Sequence, residues 1–136
     1  MKLTDLKQLG DPIRAEADQK YHKSKREHWG VTAPRSTEFI RTFRNLPVDE
    51  LLALSKAFWE TDLFDPMMCA ARILSLPTMG HSEELWQTIK LFLKDVDGWA
   101  LEDTLAHAAW RCIQKQESRL DELEKWTEHP NFWMRR

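Results

Sequence analysis

Apolar side chains recur along most of this chain at the three- and four-residue spacing of helices. Leu51, Leu54 and Phe58, for example, fall at i, i+3 and i+7 on one helical face. The chain has four glycines and no alternating run of β-branched residues. The pattern predicts helices over residues 12–24, 66–75, 82–95, 99–114 and 117–128, with two more that begin at residues 34 and 47. The predicted fold class is therefore all-α.

The predicted helices fall into pairs with a regular period. Met67, Trp99 and Trp133 occupy similar positions at the starts of helices, with separations of 32 and 34 residues. Each span contains one helix that precedes and one that follows. Helix pairs at this period predict a HEAT-like helical-repeat solenoid, an antiparallel and superhelical stack in which the second helix of each pair lines the concave side. Residues 131–136 are then expected to begin the third such helix.

The predicted helix that begins at Trp99 has two different faces. At 100° per residue, Leu101, Leu105, Ala108 and Cys112 form a packing stripe, whereas Trp99, Asp103, Ala106 and Trp110 lie nearly opposite it, with Glu102 beside them. One interpretation is that neighbouring helices bury both faces, and Asp103 then needs a basic partner. The other is a cleft in which indole rings attract cationic groups and a carboxylate orients water or stabilises positive charge.

Composition and charge narrow the possible classes of protein. A chain of 136 residues, 42% hydrophobic and 31% charged, suits a single domain. Its net charge is −2, and the excess of cations between Arg14 and Arg44 is typical either of a phosphate-binding surface or of a solvated helix face. The sequence contains no membrane span, secretory signal, glycine-rich phosphate loop or histidine pair at metal-ligand spacing. Cys69 and Cys112 are expected to be free buried thiols in a reducing cytoplasm.

Several stretches of the chain, in their order, resemble the AlkD-type DNA alkylation repair proteins, which are HEAT-like alkylpurine DNA glycosylases. The stretches are RAEADQKYHK, WGVTAPRS, FDPMMCAARIL, LFLKDVDGWALEDTLA and EHPNFWMRR, and the resemblance covers nearly all of residues 11–136. By position, the cleft tryptophan of the family falls on Trp99, its carboxylate on Asp103, its arginine on Arg136 and its cleft tyrosine on Tyr21. Gly98 stands where relatives often carry a second aromatic residue, so an altered cleft wall is expected.

The resemblance implies hydrolysis of the N-glycosidic bond of N3- or N7-alkylated purines, with double-stranded alkylated DNA as partner and with no metal, organic cofactor or membrane. The residues implied for catalysis are Trp99, Asp103 and Arg136, and those implied for DNA binding are Tyr21, Lys23 and Arg135. In this scheme the carboxylate positions the attacking water and stabilises an oxocarbenium-like sugar beside the aromatic wall.

Family domains continue past the position of Arg136, so residues 1–136 are expected to be a single HEAT-like domain truncated at its C-terminal side. Self-association through the exposed edge of the last repeat is one expected consequence. Two alternatives stay open: a non-catalytic HEAT-like module that binds protein or nucleic acid, and a truncated relative without activity. Convergence of Lys23, Arg26, Arg135 and Arg136 near Asp103 would favour the enzyme, because those cations would grip the DNA backbone.

Overall fold

The computed structural model describes residues 2–136, and every regular element in that range is helical. The helices are α1 (Lys2–Gln8), α2 (Pro12–His22), α3 (Ala33–Arg41), α4 (Val48–Trp59), α5 (Phe64–Leu74), a 3-10 helix (Pro77–Met79), α6 (Glu83–Leu93), α7 (Trp99–Lys115), α8 (Ser118–Trp126) and α9 (Phe132–Arg135). The all-α prediction is therefore confirmed. None of the helices in this range is long and apolar enough to cross a membrane.

The structure adds one helix to the predicted set and moves the start of another by two residues. Helix α1 was not predicted, because Leu6 is the only side chain that it buries and a single position sets no periodicity. Helix α5 begins at Phe64 rather than at Pro66. Pro66 thus lies inside the first turn, where a proline costs little because the N–H that it lacks has no intrahelical acceptor.

The helices form pairs that repeat with a fixed period. Helix α4 packs against α5 and α6 against α7, while α3, α5 and α7 lie side by side in what we call the odd row. Helices α4, α6 and α8 form the even row, and each begins 35 residues after the one before. Met67 is the fourth residue of α5 whereas Trp99 is the first of α7, so these two markers do not share a helix position. The helix pairs recur, but the markers chosen from the sequence were wrong in register.

Neighbouring repeats are joined by hydrogen bonds between residues 36 positions apart. These repeat interlocks connect Arg26 with Asp62, Trp29 with Asp65, Ser36 with Arg72, Trp59 with Asp95, Ser75 with Arg111, Glu83 with Arg119 and Trp86 with Glu122. Nearly equivalent positions of adjacent repeats are therefore in direct contact, as expected for a stack in which each unit is stabilised by its neighbours.

The core contains aromatic side chains and both thiols. The Trp59 ring stacks on Phe92 with centroids 4.4 Å apart, and Trp86 is fully buried. Cys69 and Cys112 are free and buried, as predicted, and burial raises the pKa of the Cys69 thiol to about 11. Because such a thiol is protonated at neutral pH, it acts as a small apolar group in the packing.

Helix α2 buries none of its own residues and is positioned mainly by the loop that follows it. Asp65 of α5 accepts hydrogen bonds from the backbone N–H groups of Trp29 (2.6 Å) and Val31 (3.1 Å), which fixes this loop. Gly30, with φ of +75°, then approaches the backbone at the start of α2, and its carbonyl accepts from the Asp11 N–H at 3.2 Å. The loop thereby holds α2 beside the helices of the odd row.

Candidate functional site

Helix α7 leaves one of its faces open to solvent. Leu101, Leu105, Ala108 and Cys112 are buried, whereas Trp99, Asp103, Ala106 and Trp110 are exposed. The exposed fraction is 41% for Trp99 and 56% for Trp110, and the Asp103 side chain is 54% exposed. The interpretation in which neighbouring helices bury both faces is therefore wrong. An open face that carries a carboxylate between two indoles is free to contact a ligand.

Aromatic side chains of α2 build the wall around Trp99. The Tyr21 ring meets the Trp99 ring edge-on, with centroids 5.9 Å apart and planes at 87°. The His22 ring lies 5.2 Å from Trp99. Burial, followed by repulsion from His28, lowers the pKa of His22, so its imidazole is neutral at pH 7. The wall beside Trp99 therefore comes from a different repeat, although Gly98 itself contributes no side chain.

Arg136 is held against two consecutive carboxylates of α7. Its Nη1 atom donates to Oε2 of Glu102 at 2.9 Å and lies 3.3 Å from Oδ1 of Asp103. The guanidinium also lies over the Trp133 ring, 5.7 Å from its centroid. Arg136 is thus a basic partner of Asp103, although Asp103 is exposed, and it gains a cation–π contact on its other side.

Helix α9 is short, and its position depends on its cap. The Asn131 side-chain oxygen accepts from the Trp133 N–H at 2.8 Å, and its amide donates to the carbonyl of Val96 at 3.2 Å. Met134 is buried in the same region. These contacts tie the start of α9 to the segment just before α7, so Arg136 is directed toward Glu102 and Asp103.

Two adjoining cavities lie along the odd row. The first, the Trp99 cavity, has a volume of about 380 Å³ and is lined in part by Tyr21, His22, Trp99 and Asp103. The second, the arginine groove, has a volume of about 400 Å³ and is lined by Thr37, Ile40, Arg41, Arg72, Ser75, Leu76, Thr104 and His107. No acidic side chain lines the arginine groove, and Arg72 and Thr104 line both cavities. The carboxylate site thus opens onto a groove of positive charge and hydroxyl groups.

Arg72 is the most constrained cation of the arginine groove. Its Nη1 atom donates to the Ser36 hydroxyl at 2.6 Å, and within residues 2–136 no carboxylate forms a salt bridge with it. Burial lowers the pKa of Arg72, although the guanidinium stays charged at any ordinary pH. A partly buried guanidinium without an anionic partner has donors left for an anionic ligand.

The other cations singled out from the sequence lie apart from Asp103. Lys23 ends α2 in the left-handed conformation, with φ of +51°, and does not line the Trp99 cavity. Arg135 donates to the carbonyls of His129 and Pro130 at 2.9 and 3.1 Å.

Arg26 is also engaged elsewhere, because it donates to Asp62, to Asp97 and to the carbonyl of Asp95. The four cations do not converge on Asp103, since Arg136 is the one of the four that contacts it in the described part of the chain, and the backbone clamp that would have favoured the enzyme is therefore not formed. The guanidinium of Arg26 instead locks the loop after α2 to the neighbouring repeats.

Sequence reasoning missed three residues of the site. Arg72 had a usable signal, because it is the one charged residue among the last nine residues of α5, PMMCAARIL. Glu102 was noticed only as a neighbour of the exposed face, yet it is buried and contacts Arg136. His22 follows Tyr21 at the end of α2, and only the tertiary arrangement brings it to Trp99.

The fold and the open face of α7 define an all-helical repeat protein with a carboxylate and indole site beside a groove of positive charge. The sequence model of the DNA alkylation repair enzyme family matches residues 3–136, and the chain belongs to that family. Membership assigns it a role in DNA alkylation repair. No significant match was found among curated proteins or among solved structures.

Proposed function

We propose that this protein is a DNA glycosylase that hydrolyses the N-glycosidic bond of N3- or N7-alkylated purines in duplex DNA. The observation that carries the proposal is the open face of α7, on which Asp103 lies between Trp99 and Trp110. Alkylation at N3 or N7 makes the purine cationic. Indole faces and a carboxylate are the groups that attract such a ring and the positive charge that passes to its sugar.

The reaction needs a water molecule and no redox step. The water oxygen forms a bond to C1′ of the sugar, the C1′–N9 bond breaks, and its electron pair leaves with the base, which becomes neutral. Asp103 orients the water, takes up its proton and stabilises the cationic character of the sugar. Trp99 and Tyr21 wall the site, and Arg136 fixes the orientation of the Asp103 carboxylate.

The arginine groove is suited to the DNA backbone next to the lesion. The planar fork of a guanidinium matches two phosphate oxygens, and Arg41 and Arg72 both line the groove. The Thr37 hydroxyl supplies a further donor to the same anion, whereas the hydroxyls of Ser75 and Thr104 donate to the backbone carbonyls of Ala71 and Ala100. Tyr21, Lys23 and Arg135 stay predicted DNA contacts, and each of the three is exposed.

Arg72→Gln is expected to weaken binding to duplex DNA about tenfold at low salt, because one charge-assisted contact to phosphate is lost. The slope of log affinity against log salt should fall by about one counterion. Titration of the chain with a fluorescent duplex at several salt concentrations measures both quantities. The shorter glutamine side chain loses the hydrogen bond to Ser36, so the free energy of unfolding should fall by about 1–2 kcal/mol while the chain stays folded.

The matched control for Arg72 is Lys125→Gln, which removes one exposed cation from α8 of the even row. This variant should keep the affinity and the salt slope of the unmodified chain. An equal loss in both variants would mean that net charge alone governs binding, and the assignment of the groove to phosphate would be withdrawn.

The proposed activity itself is tested by release of 7-methylguanine or 3-methyladenine from alkylated duplex DNA, with heat-denatured protein as blank. Release above the blank that depends on Asp103 supports the glycosylase. The competing proposal is a non-catalytic helical-repeat module, which the exposed indoles of α7 also fit. Tight duplex binding without any released base would favour that module.

Self-association stays a prediction, and exposed apolar side chains on α7 to α9 support it. Trp110, Leu120, Leu123 and Phe132 are each at least 36% exposed and lie in these last three helices. Contacts between such side chains on two copies of the chain would remove apolar surface from water. Light scattering is expected to give a mass that rises with concentration, whereas a constant mass of 16.1 kDa would contradict it.

A further inference from the structure

Glu102 and Asp103 are consecutive on α7 but differ in environment. Glu102 is 7% exposed, whereas the side chain of Asp103 is 54% exposed. Both carboxylates reach the same atom, Nη1 of Arg136, at 2.9 Å and 3.3 Å respectively. Arg136 therefore joins a carboxylate that faces the site to one that lies beneath it.

The surroundings of Glu102 make its charge costly. It lies on a cavity of about 310 Å³ whose other lining groups, apart from Arg136, are apolar side chains of α6 to α9. Burial, with a contribution from Asp103, raises the pKa of Glu102 to about 7, although Arg136 acts in the opposite direction. An aliphatic residue in this place would stabilise the fold more, because desolvation of a carboxylate commonly exceeds the gain from its ion pair. A carboxylate at this position is therefore explained by a role in the site and not by stabilisation of the core.

We propose that Glu102 is a positioning residue that draws the Arg136 guanidinium away from Asp103 and so preserves the negative charge of Asp103 at the reacting centre. The proposal rests on the proposed function in one respect, namely that Asp103 is the carboxylate that faces the sugar. Its geometry is independent of that function, because the shared Nη1 atom couples the two carboxylates whatever ligand is bound.

The protonation state of Glu102 determines which of the two carboxylates Arg136 neutralises. When Glu102 is ionised, it holds Nη1 at the shorter distance, and Asp103 keeps most of its charge for the cationic sugar. When Glu102 is protonated, the guanidinium is left to neutralise Asp103. Among the groups that face Glu102, the charged ones are Asp103 of α7 and Arg136 next to α9, since Arg135 donates away to backbone carbonyls. Base release should therefore rise with pH as Glu102 loses its proton.

The test compares pH profiles of base release between pH 5.5 and 8.5 for the unmodified chain and for Glu102→Gln. The unmodified chain should show a rise centred near pH 7, where Glu102 titrates. Glutamine mimics the protonated acid, so Glu102→Gln should show no such rise and should be about tenfold slower at pH 8, the size of one charge-assisted hydrogen bond. The matched control Glu122→Gln, at a carboxylate paired with Lys90, should keep the unmodified profile.

Unfolding measurements keep a folding defect apart from the proposed role. The pKa of Glu102 is higher in the folded chain than in the unfolded chain, so its ionisation destabilises the fold as pH rises from about 4.5 to about 7. Glu102→Gln should therefore have a higher unfolding midpoint than the unmodified chain at pH 8 and a similar one at pH 4. A variant that is more stable yet slower separates positioning from structural support.

Carbon-13 titration of the Glu102 carboxyl tests the coupling without any turnover. Arg136→Gln should raise the pKa of Glu102 and Asp103→Asn should lower it, because these are the charges that act on it. If no base is released at any pH but these shifts are observed, the glycosylase proposal fails and the positioning of Arg136 stands. If base is released and Glu102→Gln keeps the unmodified profile, or if Glu102 titrates independently of Arg136, the positioning role is overturned.

Discussion

Asp103→Asn is expected to reduce the release of alkylated base at least a hundredfold, the size of effect that a lost general base or a lost stabilising charge produces. Asparagine has nearly the shape of aspartate but carries no charge to stabilise the sugar and cannot accept a proton from water. Binding of alkylated duplex should change by no more than about twofold, because phosphate contacts provide most of the affinity. Single-turnover release and a binding titration on the same duplex measure the two quantities.

The fold should tolerate this change. The Asp103 side chain is 54% exposed, and exposed ion pairs such as the one with Arg136 contribute little to stability. Asp121→Asn on α8 is the matched control, since it removes an exposed aspartate from the even row and should leave release unchanged. If Asp103→Asn retained more than half of the activity, Asp103 would not be the catalytic carboxylate.

Gly30→Ala is expected to destabilise the chain by about 2–4 kcal/mol, through a strained backbone and a steric clash together. Its φ of +75° disfavours any residue with a side chain. A Cβ atom there would lie 2.2 Å from the carbonyl oxygen of Asp11 and 2.7 Å from the backbone nitrogen of Ala15, and neither backbone atom can move without moving α2. Urea unfolding monitored by circular dichroism measures the loss.

Gly80→Ala separates the effect of the strained backbone from that of the steric clash. Gly80 also has a positive φ, +69°, but a Cβ atom there meets nothing within 4 Å. Because its ψ of −137° lies outside the left-handed helical region, this variant should cost about 1–3 kcal/mol from backbone conformation alone, and less than Gly30→Ala. Equal losses in the two variants would show that the close approach of Gly30 to α2 contributes nothing. Since α2 carries Tyr21 and His22, Gly30→Ala should also slow base release, whereas Gly80→Ala should not.

The sequence predicted the parts of the structure that depend on local periodicity. The two faces of α7 follow from 100° steps along one helix, so the eight positions assigned to its two stripes are buried or exposed as predicted, whereas Glu102 is buried. The resemblance to the family assigned four residues to the cleft: Trp99, Asp103, Arg136 and Tyr21. In the structure they form two contacting pairs, Trp99 with Tyr21 and Asp103 with Arg136. Their catalytic roles stay predictions.

The other features of the site depend on tertiary contacts, which residue spacing in a single sequence does not reveal. In the sequence, Arg26 and Arg136 are both cations without a distinguishing pattern. In the structure, Arg26 forms ion pairs with Asp62 and Asp97, whereas Arg136 forms an ion pair with α7. The burial of Glu102 depends on α9 closing over one side of α7, which residue spacing does not show. Tertiary packing also decided the register of the repeats, since the odd row shifts its helix starts by several residues relative to the even row.

The repeat interlocks have a consequence for how this sequence can change over evolutionary time. Because the Asp95 carboxylate accepts from the indole N–H of Trp59, 36 positions earlier, the acceptable side chain at one of these positions is set by the occupant of the other. Substitutions should therefore be accepted in linked pairs one repeat apart, such as Trp59 together with Asp95. In a chain built by duplication of one unit, each copy would then restrict the divergence of the next.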